Sequence, residues 1–387
     1  MKNFHYSIPT DIYFGKGQID KLPRAIKPYG TKVLLVYGGG TIKRTGLYDE
    51  VIKVLNHGGI SQVELNGVEP NPRIATVRKG VDLCRNNDVE AIVAIGGGST
   101  IDCAKVIGAA YHYDGDPWEL VTNPSKITKV LPIFTVLTLS ATGSEMDPYA
   151  VISNMDTNEK LGTAHEGMKP KASILDPQYT YTVSPYQTAA GTADIMSHIF
   201  EEYFSNVKEA YLQDRMAEAL LKTCIKYGKI AMKEPNNYEA RANLMWASSL
   251  AINGLLGYGK DNGWSVHPME HELSAFYDIT HGVGLAILTP HWMKYVLGDN
   301  TLDKFVEYGI NVWNIDRDLS SYDIANKAIE KTKEYFVDLG IPERLRDVGI
   351  EENKLQLMAK QATRFGKVGT FKPLDDNDVL NIFKAAF

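Results

Sequence analysis

The first half of the chain alternates apolar runs with amphipathic segments. Three runs are apolar along almost their whole length: Val33–Tyr37, Ala91–Ile95 and Ile133–Leu137. Runs of this kind are typical of strands covered on both faces, as in a parallel sheet. Helical periodicity fills two of the intervals, over Tyr48–Leu55 and Ile74–Cys84, which indicates crossover helices. Shorter strand candidates are Ala150–Ser153 and Ser173–Leu175.

The pattern changes after Val183. Ser184-Pro185-Tyr186-Gln187 has the composition of a capping box, with proline at the first helical position. Two helical stripes follow. The first is Leu212, Met216, Ala219, Leu220, Ile225 and Ile230, and the second is Leu244, Ala247, Ser248, Ala251 and Leu255. We therefore predict an α/β domain over residues 1–183 and an all-α domain over residues 184–387.

Composition narrows the class of protein. The chain has 387 residues and a formal net charge of −6, without a run of basic residues, so neither nucleic acid nor a membrane is an expected partner. Cys84, Cys103 and Cys224 are far apart and are expected to be buried, reduced thiols. The opening residues lack the pattern of a signal peptide, and the uncharged stretch 242–259 is too polar for a membrane span. A cytoplasmic protein is expected.

Two triple-glycine loops directly follow predicted strands, at Gly38–Gly40 and Gly96–Gly98. Backbone without Cβ atoms can approach a phosphate closely, and a helix beginning at Ser99 or Thr100 would favour negative charge there. Neither loop matches G-x-G-x-x-G, so the standard Rossmann fingerprint is absent. Two such loops on neighbouring strands favour an extended ligand across the carboxyl end of the sheet. The alternative is a pair of tight turns without a ligand.

Cations and hydroxyl groups accompany these loops. Lys43 and Arg44 follow the first loop, with no acidic residue directly after the strand. They would suit an extra phosphate, and a solvated basic turn explains them equally well. Thr138–Glu145 follows a third strand and is dense in hydroxyl groups. It offers donors to phosphate or ribose, or else it caps a helix.

Five side chains that commonly ligate metals form two clusters in the second half. Asp194 and His198 are four residues apart and would project from one face of a helix. His267 and His271 have the same spacing, and His281 follows ten residues later. One carboxylate with several imidazoles is the ligand set of a divalent metal site with open positions, compatible with Fe²⁺, Zn²⁺, Mn²⁺ or Ni²⁺. Hydrogen-bonded core histidines are the alternative.

Seven motifs carry a resemblance to a known family: YGGGTIKRTG, EPNPR, IGGGSTIDCAK, LSATGSEMD, ILDP, TADIMSHIFEEY and HPMEHELSAFYDITHG. Over essentially its whole length the chain resembles the iron-containing (group III) alcohol dehydrogenases, and within them the NADPH-dependent butanol dehydrogenases and aldehyde reductases. The resemblance implies a Rossmann-like dinucleotide-binding α/β domain with a parallel sheet, followed by an all-α metal-binding domain of the dehydroquinate synthase-like kind.

The resemblance also assigns the residues of a metal site. The ligands would be Asp194, His198, His267 and His281. His271 would be an unligated histidine near the substrate that relays a proton. The ion would be one divalent metal, Fe or Zn.

Cofactor residues follow from the same motifs. The pyrophosphate would lie on Gly97, Gly98 and Ser99. Further residues expected along the cofactor are Asn71, Asp102, Thr138, Lys160 and Tyr179. Gly38, Gly39 and Gly40 stand where NAD-using relatives have an aspartate, and together with Lys43 they imply NADP(H). The chain departs from many relatives at Asp147, for which no contact is predicted.

The implied activity is reversible hydride transfer between NADP(H) and a primary alcohol/aldehyde pair such as butanol and butyraldehyde. A small-molecule substrate and a homodimer are expected. Glycerol dehydrogenases and dehydroquinate synthase-like lyases share the architecture, although few basic residues lie around 261–291 to bind a phosphorylated acid. A non-catalytic nucleotide or metal sensor is the alternative from another class.

Overall fold

The structure is a computed structural model that describes residues 1–261 and 263–387. The chain groups into two compact units. The sheet unit contains Ser7–Val183 and Pro235–Ser249, and the helical unit contains Met1–Tyr6, Ser184–Glu234 and Leu250–Phe387. The main change of unit therefore falls at residues 183–184, but one helical segment from the second half belongs with the sheet.

A six-stranded parallel sheet organises the sheet unit. Its strands are β1 (Asp11–Phe14), β2 (Lys32–Tyr37), β3 (Ser61–Leu65), β4 (Ala91–Gly96), β5 (Ile133–Leu137) and β8 (Ala172–Leu175). They lie in the order β1-β8-β5-β4-β2-β3, and every neighbouring pair is parallel. The predicted parallel sheet is confirmed. Neither β1 nor β3 was predicted, because these edge strands are half exposed and have no continuous apolar run.

The strand predicted at Ala150–Ser153 exists but belongs to a separate hairpin. It forms β6 (Tyr149–Asn154), which pairs antiparallel with β7 (Glu159–Ala164). A short apolar run predicts that a strand exists but does not identify the strand with which it pairs. That pairing depends on the polar turn residues between β6 and β7 and on packing. The strand candidate at Ala150–Ser153 is therefore confirmed, but it lies outside the parallel sheet.

Helices cover both faces of the sheet. They are α1 (Leu22–Ile26), α2 (Thr41–Arg44), α3 (Leu47–His57), α4 (Ile74–Asn86), α5 (Gly98–Ala110) and α6 (Trp118–Thr122). Short 3₁₀ turns lie at Gln18–Lys21, Pro124–Lys126, Glu166–Met168 and Pro177–Thr180. Leu34 and Val36 of β2 enter one core, whereas Val33 and Leu35 enter the other. Because successive strand residues face opposite sides, an all-apolar strand must be covered twice.

The helical unit is built around a long, buried helix. Its elements are α7 (Pro185–Tyr203), α8 (Tyr211–Lys233), the end of α9 (Tyr238–Ile252), α10 (Val266–Tyr277), α11 (His281–Val296), α12 (Leu302–Trp313), α13 (Ser321–Asp338), α14 (Leu355–Ala362) and α15 (Asp376–Ala386), with 3₁₀ turns at Leu345–Val348 and Glu352–Lys354. Ser184 caps α7 as predicted, because its hydroxyl accepts a hydrogen bond of 3.2 Å from the N–H of Gln187. From Thr188 onward every residue of α7 is buried.

The apolar stripe predicted for α8 is on the wrong face. Leu212 is 65% exposed, while Asp214 and Glu218 are buried. Asp214 binds the ammonium groups of Lys260 at 2.7 Å and Lys304 at 2.6 Å. Ion pairing therefore turns a polar face inward, which hydrophobic periodicity cannot anticipate.

The structure bears on two expectations drawn from composition, one on membrane spans and one on the cysteines. No helix among them is long and apolar enough to cross a membrane. The three cysteines are buried and are not joined in disulfides, as predicted. Burial raises the pKa of the Cys84 thiol to about 12, so this thiol stays protonated and inert.

Gly282 sets the approach of α11 to α7. A Cβ atom at Gly282 would lie 2.0 Å from the backbone carbonyl oxygen of Ala190. We expect Gly282→Ala to lower the free energy of unfolding by roughly 1–3 kcal/mol, because the helices must separate to admit one methyl group. Urea unfolding should measure the loss. Gly298→Ala is the control, since a Cβ there meets no described atom within 4 Å; an equal effect of the two substitutions would contradict the explanation.

Candidate functional site

Three of the predicted metal ligands converge inside the helical unit. Asp194 lies on α7, His267 on α10, and His281 is the first residue of α11. One ligand atom from each of the three lies within 4.8 Å of the other two. His281 Nε2 is 3.8 Å from Asp194 Oδ1, and the His281 side chain is 22% exposed whereas that of Asp194 is 4% exposed. The cluster is thus buried on one side and open beside His281.

The fourth predicted ligand, His198, adjoins this cluster. It lies one turn after Asp194 on α7, with its Nδ1 3.7 Å from Asp194 Oδ1. Its ring stacks on that of His267, with the ring centroids 4.7 Å apart. The group of mutually close ligand atoms among the described residues contains Asp194, His267 and His281 but not His198. Ligation by His198 stays a prediction.

The residues present fit a divalent cation. Nε2 of His267 and Nδ1 of His198 are buried and have no hydrogen-bond partner among the described residues. A buried polar atom left without a partner costs about 1–3 kcal/mol, and coordination to an ion removes this cost. Burial, followed by the nearby His267 and His281, holds the pKa of His198 well below its usual range. Its imidazole is therefore neutral, and the oxygen and nitrogen donors suit Fe²⁺ or Zn²⁺.

A buried carboxylate, Glu201, joins α7 to the start of α10. It accepts hydrogen bonds from the backbone N–H groups of Ser265 at 2.9 Å, Val266 at 2.7 Å and His267 at 3.0 Å. Its Oε1 also lies 3.2 Å from Nδ1 of the His267 ring. Glu201 therefore satisfies N–H groups that the first turn of a helix leaves without partners, and it contacts a candidate ligand as well.

A second buried carboxylate, Glu270, plays the corresponding part on α10. It contacts Nδ1 of His281 and accepts a hydrogen bond from the Ser274 hydroxyl. A Cβ at Gly284 would lie 2.8 Å from Glu270 Cγ, so this glycine leaves the room that the carboxylate occupies. Neither Glu201 nor Glu270 was among the residues predicted for the site. Their signal is spacing, since each follows a predicted ligand by three residues and so shares its helix face.

His271, the predicted relay residue, lies at the edge of the cluster. Its ring centroid is 6.4 Å from that of His267 and 5.7 Å from that of His281. It is partly exposed, unlike His267. Glu270, His271 and His281 form a second group of mutually close ligand atoms. The two groups compete for His281, whose Nδ1 contacts Glu270 while its Nε2 faces Asp194.

In the sheet unit, the two triple-glycine loops lie at a reversal of strand order. They follow β2 and β4, which are adjacent, and the chain runs from β2 outward to β3 before it returns to β4 on the other side. Ligands of open α/β sheets bind at such a point. Cβ atoms at Gly39 and Gly40 would meet no described atom within 4 Å, and α5 begins at Gly98. The open space is at the first loop, whereas the N-terminus of α5 is at the second, whose glycines are closely packed, so a pyrophosphate on Gly97, Gly98 and Ser99 stays a prediction.

The third loop, Thr138–Glu145, packs against the second. The N–H of Thr138 donates to the carbonyl of Gly96 at 3.0 Å. A Cβ at Gly98 would lie 2.3 Å from the Thr142 side chain, and one at Gly97 would lie 3.1 Å from Leu139. Close packing between the two loops therefore also requires glycine at these positions, whether or not a phosphate binds there.

A buried lysine ties this loop to α5. Lys105 Nζ donates to Asp147 Oδ1 and to Ser144 Oγ, each at 2.8 Å. The Ser144 hydroxyl in turn donates to Asp102 at 2.6 Å. Burial raises the pKa of Asp102 to about 6, against the opposing effect of Lys105. Asp147, for which no contact was predicted, is thus the partner of a buried cation, and a contact of Asp102 with the nicotinamide stays a prediction.

The other predicted cofactor residues are spread over the sheet unit. Asn71 has a φ of 53° in the loop before α4, and Lys160 is a buried residue of β7. Tyr179 donates a hydrogen bond of 3.1 Å to Glu50 on α3. Ser99 lies in the first turn of α5. Cofactor contacts of these four residues stay predictions.

Lys43, predicted to bind an extra phosphate, already has an acidic neighbour. Its Nζ is 3.8 Å from Glu64 Oε2 and lies over the rings of Tyr37 and Tyr48, at 5.2 Å and 4.4 Å from their centroids. Both tyrosine hydroxyls donate to the Glu64 carboxylate. The sequence has no acid directly after β2, but the neighbouring strand β3 brings one to Lys43.

These features define a class of protein. Glycine loops at the switch point of a parallel sheet and a buried carboxylate–imidazole cluster in a helical unit are the parts of a metal-dependent, dinucleotide-binding enzyme. The chain belongs to the iron-containing alcohol dehydrogenase family. The family model "Iron-containing alcohol dehydrogenase" matches residues 9–177, and "Fe-containing alcohol dehydrogenase family, C-terminal" matches residues 188–387.

Individual relatives agree with this assignment. The chain is 64% identical to NADH-dependent butanol dehydrogenase A of Clostridium acetobutylicum, with 100% of both chains covered. It is 40% identical to the NADPH-dependent aldehyde reductase YqhD of Escherichia coli, covering 95% of this chain and 94% of the relative. The crystal structure of NADH-dependent butanol dehydrogenase A from Thermotoga maritima superposes with a TM-score of 0.95 at 38% identity, covering 100% of this chain and 99% of that one.

We expect His267 and His271 to differ in their effect on metal binding. We expect His267→Ala to weaken binding of a divalent ion by more than roughly 10–100-fold, because a buried ligand is removed. That range is the usual effect of losing a residue that only hydrogen-bonds to a ligand. His271→Ala should retain the ion, because Asp194 faces His281 and not this ring. Metal content after dialysis would measure both, with the exposed His57→Ala as a control for histidine loss. Metal loss in His271→Ala would show that the second ligand group is the real one.

Proposed function

We propose that this protein is a metal-dependent alcohol dehydrogenase and aldehyde reductase, which transfers hydride reversibly between a nicotinamide cofactor and a primary alcohol/aldehyde pair such as butanol and butyraldehyde. The observation that carries the proposal is the convergence of Asp194, His267 and His281 in a cluster that is open beside His281. The names of the relatives supply the substrate class.

The chemistry divides between the two units. Asp194, His198, His267 and His281 would hold one divalent ion, Fe or Zn, which when bound supplies Lewis acidity toward the oxygen of an alcohol or aldehyde. The glycine loops after β2 and β4 would hold a nicotinamide dinucleotide, which carries the hydride. The protein's own contribution is to bind both groups and to exclude water from the buried side of the cluster.

His271 is the residue we propose for proton exchange. Reduction of an aldehyde to an alcohol consumes one proton at the oxygen, and oxidation releases it. His271 lies beside His281 and is partly exposed, so a proton on its imidazole can pass between the substrate oxygen and solvent. Imidazole suits this exchange because its ordinary pKa lies near neutrality.

For the cofactor we propose NADH as the preferred partner. The sequence analysis predicted NADP(H) from Gly38–Gly40 and Lys43, and the 40% identical relative is named for NADPH. The relative at 64% identity and the Thermotoga maritima structure are named for NADH. Glu64 supports NADH, because its carboxylate already neutralises Lys43 and would repel the 2′-phosphate of NADPH if it bound there.

The remaining alternatives differ in chemistry that can be tested. A glycerol dehydrogenase would prefer a polyol, a dehydroquinate synthase-like lyase would require a phosphorylated acid, and a sensor would bind nucleotide without turnover. The relatives named above are dehydrogenases and reductases of small alcohols and aldehydes. A homodimer and a cytoplasmic location complete the proposal.

Aldehyde reduction should depend on both sites. We expect the unmodified protein to oxidise NADH when butyraldehyde is added, and to lose this activity when a chelator removes the metal, because substrate polarisation is then lost. Absorbance at the reduced nicotinamide band follows the reaction, and circular dichroism verifies that the stripped protein stays folded. Undiminished activity in metal-free protein would contradict the proposal, whereas activity with glycerol alone would redirect the substrate assignment.

Glu64 provides a separate test of cofactor preference. We expect Glu64→Gln to lower the KM for NADPH by a few-fold, with little change for NADH, because Lys43 is released and a repelling charge is removed; exposed charge pairs have small effects. Steady-state kinetics with both cofactors measure the change. Glu90→Gln is the control, since Glu90 bonds backbone N–H groups of Thr31 and Lys32 at the amino ends of the strands. A preference for NADPH in the unmodified protein would restore the original expectation.

A further inference from the structure

Two buried carboxylates lie behind the candidate metal ligands. The side chain of Glu201 is 3% exposed and that of Glu270 is fully buried. Each contacts the Nδ1 atom of a different histidine: Glu201 contacts His267 and Glu270 contacts His281. Neither carboxylate belongs to the predicted ligand set of Asp194, His198, His267 and His281, and Glu270 alone also contributes to the second group, with His271 and His281.

These contacts favour hydrogen on Nδ1 of each ring. An ionised carboxylate can only accept hydrogen bonds, so each Nδ1 must carry a proton to donate. A neutral imidazole then has its lone pair on Nε2. In His281 this atom faces Asp194 Oδ1 at 3.8 Å, and in His267 it is a buried atom with no partner among the described residues. With hydrogen on Nδ1, the lone pair of each ring lies on Nε2, the nitrogen away from its carboxylate.

We propose that Glu201 and Glu270 are positioning residues that fix the tautomer and ring orientation of His267 and His281, so that two Nε2 atoms are preset as ligands for one divalent cation. The inference rests on the metal site of the proposed function and adds the groups that set its geometry. Carboxylates that accept from the far nitrogen of a ligating histidine orient the ring and raise its basicity.

The contacts of the two carboxylates connect three helices. Glu201 on α7 orients His267 on α10, and Glu270 on α10 orients His281 on α11. Each carboxylate is itself held in place. Glu201 is fixed by the N–H groups of Ser265, Val266 and His267. Glu270 is fixed by the Ser274 hydroxyl and by the space left at Gly284.

The test uses the metal-free 387-residue chain and two isosteric variants. In Glu201→Gln and Glu270→Gln the side chain keeps its shape but becomes a neutral, weaker acceptor. Co²⁺ affinity is measured by competition with a chelator, and the histidine tautomers are measured by ¹⁵N NMR on histidine-labelled protein. We expect each variant to bind Co²⁺ roughly 10–100-fold more weakly, and to shift its own histidine alone away from the Nδ1–H tautomer, because a neutral amide holds that proton less firmly than a carboxylate does.

Glu218→Gln is the matched control. Glu218 is also a buried carboxylate of the helical unit, but its contacts are Tyr203, Arg215 and Asn311. We expect the Co²⁺ affinity and the four histidine signals of the cluster to match those of the unmodified protein. A loss of affinity in this variant equal to that in the other two would mean that general destabilisation explains all three, which would overturn the proposal.

The remaining outcomes separate the positioning role from the metal site. Unchanged affinity and tautomers in both Gln variants would overturn the proposal. A Glu201→Gln variant that only unfolds at lower temperature, with the tautomer of His267 intact, would reduce Glu201 to a helix cap and overturn its part. If the unmodified protein shows both Nδ1–H tautomers, and each Gln variant shifts its own, but no Co²⁺ binds, then positioning stands and the metal site fails.

Discussion

The helical unit depends on the burial of several polar groups side by side. A carboxylate and two imidazoles inside a helical core are unfavourable unless each finds a partner, because transfer from water leaves their hydrogen-bonding atoms unsatisfied. The surrounding structure supplies partners for the outer atoms through Glu201 and Glu270. The inner atoms, such as Nε2 of His267, have no such partner among the described residues and are placed to coordinate a cation. The close approach of α11 to α7 at Gly282 brings His281 into the same cluster.

Much of this fold could be predicted from the sequence because burial on both faces leaves a simple pattern. The central strands β2, β4 and β5 are continuous apolar runs, and the crossover helices α3 and α4 have a regular period. Elements with mixed exposure do not show such a pattern. β1 and β3 lie at the edges of the sheet. The buried face of α8 contains Asp214, whose cation partners Lys260 and Lys304 are distant in sequence, and Glu218, which pairs with Arg215 on the same helix.

The candidate site, like the fold, was predictable from the sequence only in part. Spacing of four residues on a helix was enough to predict the pairs that contain Asp194 and His267, since neighbours on one helix face are local in sequence. Contacts across long separations were not predictable. Glu64 meets Lys43 because β3 lies beside β2, and Asp147 meets Lys105 because the third loop folds back on α5. The Glu64–Lys43 contact changes the charge expected beside the first glycine loop, and the proposed preference for NADH rests partly on it.

The membership of Pro235–Ser249 in the sheet unit has a consequence for synthesis and folding. Met245 enters the same core as Ile152, so the sheet unit cannot complete that core until the chain has been made beyond residue 249. By then α7 and α8 have emerged, but α10 and α11 have not, so neither unit can finish before the other is well advanced. Closing such long loops slows folding and prolongs the exposure of incomplete cores. It also means that neither unit can be exchanged between relatives as one continuous segment.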